Sequence, residues 1–195
     1  MRQISAQEFE RLPLRGHEFM AGVPLHDAWV VDLPKARSGI TLDEFLRTAP
    51  VPPLAPSPVV RGLLALRLFI GRIFGWDDTE KIEASEAAFA ARMTDADRAR
   101  SRVPPGTPDE PFRVVYRFEN EQLVEIINRT AHAAALSALV ETPDAYRYYF
   151  AIYVRNVSHL TPLYMAAIDP FRKFVVYPSL MRSVLRSWNK TFERS

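Results

Sequence analysis

The chain has 195 residues, 48% of them hydrophobic, a net charge of +2 and no cysteine. That is enough apolar matter for one domain with a real core, and it excludes disulfides, thiolate metal sites and cysteine nucleophiles. No apolar run approaches the roughly 18–20 residues of a membrane-crossing helix. Residues 1–24 read as an N-terminal arm without an apolar signal core, and a cytoplasmic location is expected. In the arm, Ser5-x-x-Glu8 is a capping box, and Phe9 and Leu12 can dock a short helix onto the body. Residues 25–195 are expected to form a single domain. His26 to Pro34 reads as its first strand, carrying Trp29, Val30, Val31 and Leu33. Thr41-x-x-Glu44 is a second capping box, opening a short helix with Leu42, Phe45 and Leu46.

Prolines 50, 52, 53, 56 and 58 make a stiff connector into a helix that buries Val59, Leu63, Leu66, Ile70 and Ile73 and stops at Gly75. Residues 77–111 read as an insertion. Asp77 to Met93 is a charged, alanine-rich helix, Thr94 to Asp97 caps one more turn, and Arg102 to Pro111 is a proline-rich loop expected to be mobile.

Strands follow over Phe112–Phe118, Gln122–Asn128, Ala131–Val140 and Tyr146–Asn156, five in all with the first. Alternation places Phe112, Val114, Tyr116 and Phe118 on one face, and Tyr146, Tyr148, Phe150, Ile152 and Val154 on one face of the last strand. Thr161-Pro162 then opens a long helix with the stripe Leu163, Ala167, Pro170, Phe174, Pro178, Met181, Leu185, Trp188 and Phe192. Its internal prolines should kink it to follow a curved sheet. The expected fold is therefore α+β: a curved antiparallel sheet packed on a long, kinked C-terminal helix. Phe112, Val114, Tyr116, Phe118, Tyr148, Phe150 and Ile152 should face Leu163, Ala167, Phe174 and Met181.

This element order is that of a reduced helix-grip fold, the START-like or polyketide-cyclase-like superfamily. Within it the chain resembles the DUF2867 family. The resemblance rests on Tyr146 to Trp188, through Tyr164, Pro170, Phe171, Arg172, Val175, Val176, Pro178 and Arg182, and on Leu66, Arg67, Phe74 and Gly75. The family's middle-strand Arg-His pair, close to an Asp, is here spaced out as Asn128-Arg129-Thr130-Ala131-His132, without the Asp. The superfamily hosts binders, transporters and enzymes, so the resemblance speaks for fold more than for function.

No phosphate loop, HExxH or GxSxG pattern is present. The four histidines sit on different elements, so no metal site and no cofactor are expected. His132 is a candidate general base, with Glu125 or Asp169 as partner; otherwise it lies on the outer face of its strand. Glu125 either faces the core with Leu123 and Ile127, needing a partner, or lies in water with Val124 and Ile126 inside. The small residues Ala133 and Ala135 oppose aromatic neighbours, leaving room for an apolar cavity or for closer helix packing. A ligand there would meet Tyr116, Ala133, Ala135, Tyr148, Phe150, Tyr164 and Phe174. The first functional expectation is binding of a hydrophobic or aromatic small molecule between sheet and helix. A cyclase- or hydrolase-type enzyme and an interaction module are the alternatives. Nucleic acid is not expected as a partner. The basic segments 61–74 and 172–190 are amphipathic, but their apolar stripes are expected in the core, so a membrane surface is the lesser alternative.

Overall fold

The computed structural model describes residues 1–48, 88–109, 112–127, 132–155 and 169–192. The expected helix over 58–75, the connector before it, residues 77–87, the Thr161-Pro162 cap, Leu163, Tyr164 and Ala167 lie outside these residues.

Seven strands form one curved antiparallel sheet in the order β1-β2-β7-β6-β5-β4-β3. They are β1 (Arg2–Ile4), β2 (Leu25–Pro34), β3 (Pro108–Asp109), β4 (Phe112–Arg117), β5 (Glu121–Ile127), β6 (His132–Glu141) and β7 (Ala145–Arg155). The last five run as a meander, and β2 closes on β7. The alternation of β7 settles its faces as expected: Tyr146, Tyr148, Ile152 and Val154 are buried on one side, Tyr149, Ala151 and Tyr153 on the other.

Two strands were not anticipated. The arm supplies β1, which pairs Gln3 with Trp29. Residues 106–109, the described end of the segment expected to be a mobile loop, pair with the sheet: Gly106 N–H donates to Val114 O at 2.8 Å, Val114 N–H to Thr107 O at 2.9 Å, and β3 pairs with β4. A proline at the edge of a sheet loses no ladder bond, so Pro108 does not oppose this.

Short helices decorate the sheet: α1 (Ala6–Glu10), α2 (Gly16–Phe19), α3 (Leu42–Thr48) and α4 (Asp95–Arg100). Ser5 Oγ accepts from Glu8 N–H and Thr41 Oγ1 from Glu44 N–H, both at 3.1 Å. Thr94 and Asp97 form a reciprocal capping box at α4. Of the charged helix expected to end at Met93, the described part is a 3-10 turn, Phe89–Arg92.

The C-terminal helix carries a π-turn over Arg172–Val176, followed by α5 (Tyr177–Phe192). Tyr177 N–H donates to Arg172 O, five residues back. The widened turn precedes Pro178, whose ring would clash with the carbonyl of Phe174 in a regular helix. It inserts one residue into the helical repeat, so the buried stripe beyond it is Tyr177, Leu180, Met181, Val184 and Trp188. Phe174 falls off the stripe and is 79% exposed, against the expectation that it packs on the sheet.

The sheet is covered on both sides. On the helix side, α5 and α3 enclose Trp29, Val31, Leu33, Val114, Val124, Ala135, Tyr148 and Ile152. Trp188 anchors this layer, fully buried against Phe45 and Tyr146, with Nε1 donating to Pro34 O at 2.8 Å. On the arm side, α1, α2 and residues 88–93 cover Val30, Val115, Tyr116, Phe118, Leu123, Leu136 and Tyr149. Gly16 lies so close to Leu136 that a Cβ would stand 2.4 Å from Cδ2, so any side chain at this position requires the buried leucine to shift.

Candidate functional site

Two polar constellations and one partly open surface stand out. The first joins two of the predicted catalytic candidates. In β5, Val124 faces the helix side, so Leu123 and Glu125 face the arm side. Because that side is covered, Glu125 is buried rather than in water, and His132 is buried rather than on an outer face. His132 Nε2 lies 2.9 Å from Glu125 Oε2. Phe89 N–H and Ala90 N–H donate to the same carboxylate at 2.9 and 3.3 Å. A carboxylate only accepts, so Nε2 carries the proton here. Phe89 stacks on His132 with centroids 4.0 Å apart, and Arg92 and Arg155 lie over the Phe89 ring. With His132 1% exposed, no substrate atom reaches the imidazole without displacing Phe89. The pair pins the 3-10 turn to the sheet.

Asp169, the third catalytic candidate, is not beside His132. It accepts from His26 Nε2 at 2.8 Å, where the C-terminal helix crosses the end of β2. A register shift between Leu25 and Asp27 makes His26 the extra residue of a bulge. A bulge turns neighbouring side chains to the same side, and His26 Nε2 stands 3.7 Å from Asp27 Oδ2. Arg172 bridges the cluster, with Nη1 3.2 Å from Asp169 and Nη2 3.3 Å from Asp27. Tyr177 Oη donates to Asp27 at 3.2 Å and also meets Arg172. Gln3 Nε2 donates to the other Asp27 oxygen at 3.2 Å. Burial opposes the charged form of Asp169, but the His26 hydrogen bond and the charges of His26, Arg172 and Lys173 outweigh it and hold its carboxyl below the usual range. Burial pushes the Tyr177 phenol well up.

Ligand atoms of His26, Asp27 and Asp169 lie within 4.8 Å of one another, a set that can hold a metal ion. Arg172 already neutralises both carboxylates, and a divalent cation would have to displace its guanidinium. The geometry is that of an ion-pair network. Sequence reasoning missed His26, Asp27, Arg172 and Tyr177. The available signal was Asp27, a charge set in front of the apolar run Ala28–Val31.

The third feature is the helix side of the sheet. It brings together the predicted residues Ala133, Ala135, Tyr148 and Phe150. Tyr116 does not join them: a bulge between Val114 and Tyr116 turns it to the arm side, where it stacks on Phe118 at 4.1 Å. Phe174 points to solvent, and Tyr164 is outside the described residues. Phe112, Ala133, Phe150 and Val176 are only half-buried here, amid buried neighbours. Polar groups interrupt this apolar surface. Tyr148 Oη donates to Ser137 Oγ at 3.0 Å, and burial pushes the Tyr148 phenol up to about 12 despite that bond. Trp29 Nε1 is buried with no hydrogen-bond partner among the described residues. Trp29 and Phe150 both touch the Tyr177 ring, at 5.4 and 6.0 Å, so this surface is continuous with the His26–Asp169 cluster.

The match over residues 19–179 identifies the family: the chain belongs to DUF2867, described as a protein of unknown function. The search of curated proteins and the search of solved structures each found no match. Among the described residues, no helix is long and apolar enough to cross a membrane.

Proposed function

We propose that this domain binds a small molecule with an apolar body in a cleft between the helix side of the sheet and the C-terminal helix. The reading rests on one observation. Phe112, Ala133, Phe150 and Val176 are half-buried along the helix side of the sheet, beside buried polar groups. Partly accessible apolar side chains around a few fixed polar groups are what small-molecule sites are made of. The Tyr148–Ser137 hydroxyl pair and the Trp29 N–H supply those groups. A buried donor without a partner costs about 1–3 kcal/mol, so an acceptor on the ligand facing Trp29 gains more than a contact in water would. The likeness to the helix-grip, START-like architecture supports the same location.

The test uses 8-anilinonaphthalene-1-sulfonate, an apolar fluorescent probe, on the native protein at neutral pH. Saturable binding is expected, and Ala133→Leu, which fills the half-open position, should abolish it while leaving the fold intact. Probe binding only on unfolding, or unchanged binding to Ala133→Leu, would refute the reading.

An enzyme of hydrolase or cyclase type is the second reading, favoured by the His26–Asp169 pair. Both side chains are about a quarter exposed, 27% and 23%, unlike the sealed Glu125–His132 pair. Its sign would be turnover of a bound molecule that His26→Gln removes while binding persists.

A further inference from the structure

The described residues expose three large hydrophobic side chains, and two of them, Phe171 at 50% and Phe174 at 79%, are three apart on the C-terminal helix. Residues three apart are neighbours on a helix surface. Farther along, the same helix exposes Arg182, Arg186 and Lys190. No acid occurs from Pro170 to Phe192. None of these three bases has an acidic partner among the described residues, whereas Arg172 and Lys173 are engaged by Asp169.

The π-turn between the two groups decides how they are placed. In an uninterrupted α-helix, at roughly 100° per residue, the five side chains would spread over about 160° of arc. The residue inserted by the π-turn rotates everything beyond it back by roughly 100°, which gathers all five into about 80°. Two aromatic rings followed by three bases with no acidic partner among the described residues therefore form one stripe along the outer face of the helix, opposite the buried stripe that carries Met181 and Trp188.

We infer that this stripe docks the domain on an anionic lipid surface. Exposed phenylalanines need an apolar phase, and a bilayer interface supplies one beside negative headgroups that match the bases. An acidic protein or a nucleic acid would satisfy the charges but leaves the two rings without an apolar phase. A second copy of the chain would cover the rings but would bring like charges together. Docking of this kind is independent of the cleft, since the stripe faces away from the sheet.

The experiment is co-sedimentation of the full chain with phosphatidylcholine vesicles, with and without phosphatidylglycerol. Binding is expected only to the anionic vesicles and should weaken as salt rises. Phe171→Ser/Phe174→Ser should lower partitioning at least tenfold at unchanged circular dichroism. Arg182→Gln/Arg186→Gln/Lys190→Gln should do the same and abolish the salt dependence, which keeps the test valid if the first variant misfolds. Arg98→Gln, at α4, should leave binding unchanged. Equal binding to both vesicle types, or none to either, overturns the inference. So does a phenylalanine double variant that changes self-association but not vesicle binding, which would assign the stripe to a dimer.

Discussion

Glu125→Ala is the substitution that most sharply probes how the arm side is held together. The carboxylate accepts from two backbone N–H groups, of Phe89 and Ala90, and from His132. Removing it strands all three donors beneath the Phe89 ring. Each buried, unpartnered donor costs about 1–3 kcal/mol. The Ala90 N–H is the most accessible of the three and can turn to water, which lowers the sum to about 3–5 kcal/mol, the range for breaking a buried pair from one side. For a chain of this length that amounts to a fall in Tm of roughly 10 °C. Thermal and urea unfolding followed by circular dichroism measure it directly. Glu125→Gln should lose less, because one oxygen still accepts. In a double-mutant cycle with His132→Ala, a coupling of at least about 1 kcal/mol is expected. A loss below about 1 kcal/mol in Glu125→Ala, or additive single variants, would show that the carboxylate is not the pin described here.

Gly16→Ala should destabilise by about 1–3 kcal/mol, since its methyl group meets the fully buried Leu136; an unchanged Tm would mean that α2 is not seated where described. Ala135→Leu, at a position 2% exposed, should overpack and cost about 1–3 kcal/mol, in contrast to the tolerated Ala133→Leu. The Asp97 carboxyl is held at about 2 by the Arg15 hydrogen bond, with Thr94 adding to it. A depressed folded-state value contributes stability that is complete above the ordinary value of 3.8 and lost as pH falls toward about 2. Asp97→Asn should therefore flatten the loss of stability across that window in acid unfolding and leave Glu121, whose carboxyl burial raises, to act in the opposite sense.

Alternation made β7 legible, because a strand in the middle of a sheet with two covered faces still sorts its side chains by parity. The caps at Ser5, Thr41 and Thr94 were legible because one hydroxyl and one N–H decide each of them. Plain alternation puts Tyr116 on the wrong face because a bulge adds one residue and nothing in the local residue types marks it. The π-turn misled in the same way. Period counting carried Phe174 into the core stripe, and one inserted residue moved it to solvent. Glu125 and His132 are ambiguous in the sequence because strand alternation does not say whether the second face of the sheet is covered. The second layer, built from the arm and residues 88–93, put both in the interior on the side away from the C-terminal helix. The His26–Asp169 pair spans most of the chain, and such a contact leaves no periodic trace in the sequence.

We propose that the helix side of the sheet receives a ligand. Native mass spectrometry of freshly purified wild-type chain and of Ala133→Leu tests it most directly. A discrete added mass is expected on the wild type, released by mild activation, with an apolar molecule in the released fraction, and it should be absent from Ala133→Leu. Wild-type protein that carries no added mass and takes up no apolar probe, or an adduct that Ala133→Leu retains in full, would contradict it.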